Sequence, residues 1–150
     1  MKVIHVFTTG GDAYGVERTV SSILPALVRQ GVEVRAVAVA EARAGGVSES
    51  TAARFRELGC PFHIIETAGR LPFRLARRLR RLFDDEKPDI VHSHGYKTDL
   101  ALLLSRTKTA MVTTVHGWCG RSAKERFYEW LGVQCGASSR IRRLSSRQHR

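Results

Sequence analysis

One segment near the amino terminus has the composition of a loop that binds an anion. It contains Gly10, Gly11 and Gly15 directly after a run of apolar residues. Glycine lets backbone amides approach a ligand closely, and the amino end of a following helix favours phosphate. The spacing is not that of a Walker A loop, because Val16 and Glu17 stand where that motif has Lys and then Ser or Thr, and it is not G-x-G-x-x-G. The segment therefore predicts either a phosphate-binding loop or a tight turn without a ligand.

Two histidines, His92 and His94, alternate near the end of a second apolar run. Alternate residues of a strand face the same way, so the two imidazoles could share a metal ion. A third ligand is not evident nearby in the sequence, and we therefore expect no metal site. The other interpretation is that one histidine packs in the core or caps the strand while the other lies at the edge of a cleft.

A third candidate is His116, which follows another apolar run and precedes Gly117. A histidine at the end of a strand is placed to meet a substrate as hydrogen-bond donor, acceptor or acid–base group. Arg121 and Lys124 come next, at the start of a helix that a capping box of Ser122 and Glu125 predicts. These two cations could bind an anionic group, or they are solvated surface charges.

The elements that must position these residues alternate along the chain. Five Val- and Ile-rich runs have the length of strands, and the segments between them have apolar residues at helical spacing. The runs are residues 3–7, 34–39, 62–65, 90–93 and 111–115. Uninterrupted apolar strands are typical of parallel sheets that are covered on both faces. The pattern predicts an α/β fold, a Rossmann-like doubly wound parallel sheet in one domain. Pro25 breaks a local rule, because it falls inside the first predicted helix.

Charge and composition exclude several classes of protein. The 150 residues carry a formal charge of +11, with 43% hydrophobic and 26% charged residues, the balance of a folded globular chain. The three cysteines support neither a disulfide framework nor a cysteine zinc site, which favours a reducing, cytoplasmic setting. No apolar run is long enough to span a membrane, and the amino terminus does not have the form of a signal peptide.

The excess positive charge is concentrated in two segments. Residues 137–150 contain five arginines and no acid, and residues 70–81 contain six more. Leucines at helical spacing make the segment Arg70–Arg81 a basic amphipathic helix, which either lies on an anionic membrane or packs on the sheet with its arginines in water. We expect no nucleic-acid role, because interleaved aromatics and known nucleic-acid-binding signatures are missing.

With these segments in order, the chain resembles the N-terminal domain of family 4 retaining glycosyltransferases, of the two-domain GT-B class. The resemblance rests on residues 1–7 leading into the glycine loop, on Gly31–Val34, on Asp89–Gly95 and on Thr114–Gly117. It covers residues 1–131. It implies an enzyme that moves a sugar from a nucleotide-sugar donor to a small-molecule or glycolipid acceptor with retention of configuration, without a metal cofactor.

The resemblance also implies roles for particular residues. His116 matches the family histidine that contacts the transferring sugar, and is the expected catalytic residue. The donor phosphate and sugar are expected at the glycine loop, namely at Gly10, Gly11, Gly15 and Glu17. The acceptor is expected at His94, Gly95, Tyr96, Lys97, Arg121 and Lys124. Some members dock on membranes through a basic helix of this domain, so Arg70–Arg81 is a candidate for peripheral binding at the inner face of the membrane.

The sequence departs from the family pattern after residue 131. The second domain, which binds most of the donor through an E-x7-E motif, is missing, and residues 132–150 predict a basic, disordered or weakly helical tail that is truncated or out of frame. We therefore expect little transferase activity from these residues alone. Two alternatives stay open: a separate donor domain that acts in trans, and a non-enzymatic domain that binds polyanions or anionic membranes.

Overall fold

The computed structural model describes residues 1–9, 14–41, 49–67, 72–115 and 141–145. Within them, strands and helices alternate as the apolar periodicity predicts. In chain order the elements are β1 (Lys2–Thr9), α1 (Tyr14–Arg29), β2 (Glu33–Glu41), α2 (Glu49–Glu57), β3 (Phe62–Thr67), α3 (Pro72–Glu86), β4 (Ile90–His94), α4 (Tyr96–Ser105), β5 (Ala110–Val115) and β6 (Ile141–Ser145).

The strands form one sheet in the order β3-β2-β1-β4-β5-β6, and every neighbouring pair is parallel. The order runs outward in one direction from β1 through β2 to β3, and in the other from β4 to β6. This reversal of direction beside β1 defines a doubly wound sheet. The Rossmann-like α/β fold predicted from the sequence is therefore confirmed.

Two apolar cores lie on opposite faces of the sheet. On one face, Val20 and Leu24 of α1 and Phe55 of α2 pack against Phe7. The other face carries Leu75, Leu79 and Phe83 of α3 and Leu102 of α4, packed against Ile4, Val6 and Val91. The helices therefore form a layer on each side, which buries the central strands and leaves their carboxyl ends as the place where polar residues collect.

Local signals set several helix boundaries. Gly31 and Gly59, which follow α1 and α2, have φ angles of 75° and 65°, a conformation that glycine adopts without a Cβ clash. Pro25 neither ends nor splits α1, which continues to Arg29. The ring removes one backbone donor inside the helix, and burial of Val20 and Leu24, which precede it, holds the helix in place.

The structure describes one stretch of the basic segment after residue 131, and the domain boundary expected there stays a prediction. Residues 141–145 form β6, which pairs in parallel with β5 from Met111↔Ile141 to Val115↔Ser145. Without β6, the backbone N–H and C=O groups along this edge of β5 would have no strand partner. A short strand rich in arginine suits the outer position of a sheet. The aromatic helix predicted from the capping box lies outside the described residues. No helix in the described part of the chain is long and apolar enough to cross a membrane.

Candidate functional site

The carboxyl ends of the strands form an edge where three of the predicted segments meet. β1 ends at Thr9, β4 at His94 and β5 at Val115. The register aligns them, since Phe7 is opposite His94 and His94 is opposite Thr114. We call this side of the sheet the carboxyl edge. Ligands of doubly wound folds bind at this edge beside the reversal of strand order, here between β1 and β4.

Two helices begin at the carboxyl edge on either side of that reversal. α1 follows β1 and begins at Tyr14, and α4 follows β4 and begins at Tyr96. The first amides of a helix have no partner inside the helix, and the helix dipole adds a partial positive charge there. The N-cap of α4, Gly95, provides no side-chain hydrogen bond to these amides. The edge is therefore suited to an anionic group such as phosphate.

The structure describes half of the predicted donor-binding residues. Gly10 and Gly11 lie outside the described residues. Gly15 is exposed in the first turn of α1, and a Cβ atom built on it would meet nothing within 4 Å. Packing against the described residues therefore does not account for a glycine at this position.

Glu17 lies at the carboxyl edge, but its carboxylate is engaged within the fold. One oxygen accepts a hydrogen bond from the Thr9 hydroxyl at the end of β1. The other accepts from the Thr51 hydroxyl of α2, 3.0 Å away. Glu17 therefore joins β1, α1 and α2 where the glycine loop connects the first two. Its contact with a donor stays a prediction.

The loop after β4 presents one part of the predicted acceptor site to solvent. Gly95 has a φ angle of 113°, which a residue with a side chain rarely adopts. The Ser93 hydroxyl donates to Thr98 Oγ1 at 2.7 Å, and Thr98 donates to the Gly95 carbonyl at 2.7 Å, so the turn is fixed from beneath. Tyr96 is 38% exposed and Lys97 is also exposed. Both are accessible to a ligand at the edge.

His94, in contrast, is fully buried. Its Nε2 lies 3.0 Å from Nδ1 of His5, which is also fully buried in the middle of β1. His92 is half-buried, and its Nε2 lies 2.8 Å from the Thr114 hydroxyl of β5. We call His5, His92 and His94 the histidine cluster. Of the two histidines predicted from the sequence, one is thus in the core and the other is partly accessible.

Burial determines the protonation state of His5. Desolvation, and to a smaller extent the neighbouring His92, lower the pKa of His5 to about 3. The His5 imidazole is therefore neutral at physiological pH. The sequence analysis missed His5, although a polar residue between Val3 and Phe7 in an otherwise apolar strand is a signal that could have identified it.

The remaining predicted site residues are not covered by the structure. His116, Arg121 and Lys124 lie outside the described residues, as does Arg70 at the start of the basic segment. The predicted roles of these residues stay predictions. Thr113, two residues before the end of β5, is buried and donates to Asp99 of α4 at 2.7 Å, which fixes the start of α4 against the carboxyl edge.

The fold and the carboxyl edge define an α/β domain suited to an anionic ligand, and sequence comparison gives its family. The family model of Glycosyltransferase Family 4 matches residues 13–145. The chain therefore belongs to this family, as the resemblance implies, and the match includes β6. Among curated proteins, no sequence matches the chain.

Solved structures show the same fold at low sequence identity. A protein described as a UDP-N-acetylglucosamine 2-epimerase from Listeria monocytogenes has a TM-score of 0.65 and 18% identity over 90% of this chain and 36% of its own. A glycosyltransferase from Rickettsia africae ESF-5 has a TM-score of 0.63 and 14% identity, over 96% of this chain and 42% of its own. A glycotransferase of kitacinnamycin has a TM-score of 0.55 and 16% identity, over 89% of this chain and 34% of its own. The chain thus spans less than half the length of each.

Proposed function

We propose that the chain is the acceptor-side domain of a retaining glycosyltransferase that takes a sugar from a nucleotide-sugar donor. The observation that carries the proposal is the carboxyl edge, where α1 and α4 begin on either side of the reversal in strand order. Membership of Glycosyltransferase Family 4 supports sugar transfer as the chemistry at this edge. The acceptor is a small molecule or a glycolipid.

In this proposal the domain contributes position and electrostatics. The amides of Gly10 and Gly11 and the amino end of α1 stabilise the negative charge that develops on the donor phosphate. Tyr96 and Lys97, exposed at the start of α4, contact the acceptor, and His116 contacts the transferring sugar. Fixing both substrates converts the transfer into an effectively intramolecular step, which is the largest entropic contribution such a site can make.

The proposal assigns most of the donor contacts to a second domain. The solved neighbours are more than twice as long as the part of them that this chain matches. We expect residues 1–150 by themselves to bind nucleotide sugars weakly and to transfer little. The second domain is supplied either by further sequence of the same protein or by a separate chain in trans.

The test is an NMR titration of the labelled chain with UDP-glucose, GDP-mannose and simple sugar acceptors. We expect weak binding, with shifts concentrated at Thr9, Gly95 and Lys97. Lys97→Ala should weaken acceptor binding several-fold, because Lys97 is an exposed cation in the first turn of α4. Lys108→Ala is the matched control, since Lys108 is an equally exposed lysine beyond the other end of α4. Submicromolar binding of a nucleotide sugar would contradict the assignment of the donor site to a second domain, and shifts confined to other surfaces would contradict the site itself.

A second candidate function has its own observation, which is the charge pattern of α3. Its apolar face packs in the core, as one of the two sequence interpretations predicts. Its arginines at 74, 77, 78, 80 and 81 are exposed, and Phe73 in the first turn is 66% exposed. Arginines lie toward the positive end of the helix dipole, in the first half of α3, and three acids lie at its negative end, in the last turn. This distribution of charge lowers the stability of the helix. It therefore favours a binding role for the amino half of α3, at an anionic membrane surface.

Vesicle co-sedimentation tests this second function. We expect binding to phosphatidylglycerol vesicles that falls steeply with salt, and little binding to phosphatidylcholine vesicles. Phe73→Ser and the double substitution Arg74→Ala, Arg77→Ala should each reduce binding several-fold. Arg54→Ala with Arg56→Ala, on the exposed side of α2, is a control of equal charge change. Equal loss in the control would indicate that net charge alone causes binding.

A further inference from the structure

The histidine cluster brings three imidazoles together on one face of the sheet. β1 and β4 are neighbours, and their register places His5 opposite His92. His94 is two residues further along β4, so all three side chains leave the same face, the one that α1 covers at Val3 and Phe7. One nitrogen from each ring can be chosen so that all three lie within 4.8 Å of one another.

This donor set has a definite chemical preference. Three imidazoles with no carboxylate among them suit Zn²⁺ and its neighbours in the first transition row, and do not suit Mg²⁺ or Ca²⁺, which prefer oxygen. We propose that His5, His92 and His94 bind a divalent transition-metal ion, with Zn²⁺ as the occupant. Three protein ligands leave the fourth position of the ion to water, and the proposed site is independent of the sugar transfer proposed above.

The distances are close to those that such an ion requires. Zn–N bonds of about 2.0–2.1 Å in a tetrahedral site hold the ligand nitrogens about 3.4 Å apart. Nδ1 of His5 and Nε2 of His94 are already 3.0 Å apart, where they share one proton in a hydrogen bond. Binding through these two atoms moves that proton to the far nitrogen of its own ring, and no proton is released. Rotation of His92 then supplies the third ligand.

One contact outside the cluster is of the kind found around bound zinc. The Thr114 hydroxyl lies 2.8 Å from Nε2 of His92. Histidines that bind zinc usually hold an outer partner through the ring nitrogen that is not the ligand. In the proposed site His92 therefore binds the ion through Nδ1, and Thr114 orients the ring through Nε2.

The half-buried His92 provides the route of entry. His5 and His94 are fully buried, while His92 is only partly buried. An ion that first contacts His92 can therefore reach the other two rings by side-chain rotation, without opening the sheet. Once bound, it would join β1 to β4, the two strands at the reversal of strand order.

The test is titration of the chelator-treated 150-residue chain with Zn²⁺ by calorimetry and with Co²⁺ by visible absorption. We expect one ion per chain, a Co²⁺ spectrum of tetrahedral nitrogen ligation, and a rise in thermal stability with Zn²⁺. In ¹⁵N spectra of the histidine side chains, the resonances of His5, His92 and His94 should shift and those of His63 should not. This readout needs no substitution, so it remains decisive even if a variant fails to fold.

Two variants and two controls complete the design. His92→Gln should weaken Zn²⁺ binding by roughly a hundredfold, because one of three bonds to the ion is lost. Thr114→Val should weaken it by about tenfold, as loss of an outer partner does at other zinc sites. His63→Ala, at an exposed histidine of β3, should leave it unchanged, and a chain with Cys119→Ser and Cys135→Ser should bind as before. Absence of binding by the folded chain, or binding that survives His92→Gln, would overturn the proposal in favour of three packed neutral rings.

Discussion

Glu17 shows how one carboxylate can determine the geometry of a loop. Its two oxygens accept from threonines on β1 and α2, while the residue itself belongs to the first turn of α1. A negative charge in that turn also favours the helix, since it lies beside the positive end of the dipole. The carboxylate thus stabilises the start of α1 and holds it against the end of β1. In the proposed enzyme Glu17 therefore positions the amino end of α1 relative to β1 and α2.

The first prediction concerns this pair of hydrogen bonds. Glu17→Ala should lower the free energy of unfolding by about 2 kcal/mol, because two hydroxyls lose a charged acceptor. Thr51→Val should lower it by about 1 kcal/mol, and the double variant should be more stable than the sum of the two losses implies. Urea unfolding measures all four chains of the cycle. Glu57→Ala, at an exposed glutamate of α2, should change stability by no more than about 0.5 kcal/mol. Additive losses would mean that Glu17 and Thr51 do not interact.

The histidine cluster marks the limit of prediction at the level of single residues. Alternation along β4 placed His92 and His94 on one face from the sequence alone. It did not place His5 with them, because that contact depends on β1 and β4 being adjacent, a pairing of residues 87 to 89 positions apart in the chain. Local periodicity contains no information on such pairing. For the same reason the burial of His94, and hence its limited access to an acceptor, could not be read from its position at the end of a strand.

Among elements, α3 is held to the sheet by charge at one end and by apolar packing along its length. Glu86 in its last turn receives the Lys2 ammonium of β1 at 2.5 Å and the Arg35 guanidinium of β2 at 2.7 Å. The Lys2 backbone amide also donates to Asp89, at 2.6 Å. These groups lie at the amino ends of the strands, opposite the carboxyl edge. Anchoring the far end of α3 leaves its arginine-rich amino half toward the edge where ligands bind.

The second prediction is the pH dependence of that anchor. The hydrogen bond from Lys2, aided by the charge of Arg35, holds the pKa of the Glu86 carboxyl below its ordinary value of 4.5, against a smaller opposing effect of burial. Because the folded state binds this proton less tightly than the unfolded state, the stabilisation is complete above pH 4.5 and is lost as pH falls through the folded-state pKa. Urea unfolding between pH 7 and pH 3 should show this loss.

Substitution of Glu86 isolates its share of the acid sensitivity. Glu86→Gln should cost about 1 kcal/mol at pH 7, where the ion pairs are intact, and little at the acid end, so the stability curve becomes flatter. Asp84→Asn is the control, because Asp84 is 64% exposed and its pair with Arg80 contributes little. A curve for Glu86→Gln that is parallel to that of the parent chain would contradict the assigned role.

The sequence predicted which strands and helices form better than it predicted where each one ends. The five predicted strands lie within or close to β1–β5, since buried parallel strands leave continuous apolar runs in the sequence. Gly31 and Gly59 follow the first two helices as expected. The predicted third strand ended at Ile65, whereas β3 continues through the polar residues Glu66 and Thr67, because a strand with one free edge tolerates them. β6 was not predicted at all, since its sequence Ile-Arg-Arg-Leu-Ser has two apolar residues three positions apart and lacks the alternation of a strand.

At the scale of the whole molecule, β6 and the extent of the family match bear on where the net charge lies and where the domain ends. Four of the five arginines beyond residue 137 lie within or after β6, and the family match runs through residue 145. The boundary expected at residue 131 therefore falls inside the matched region. Residues 141–145 of the basic segment form the outermost strand of the sheet, and arginine-rich sequence is typical of strands at such an edge. Much of the excess positive charge thus lies in this segment and in the segment Arg70–Arg81.

The last prediction separates a sixth strand from an independent tail. Deletion of residues 141–150 should lower the free energy of unfolding by about 2 kcal/mol, because five residue pairs between β5 and β6 are lost. It should also promote aggregation, since the edge of β5 becomes exposed. Deletion of residues 146–150 alone is the control, because it removes Arg147 and Arg150 and keeps β6. Urea unfolding and light scattering measure both effects. An independent tail predicts equal stability for the two deletions and the parent chain, whereas a strand predicts that only the longer deletion weakens the fold, so the comparison decides where the domain ends.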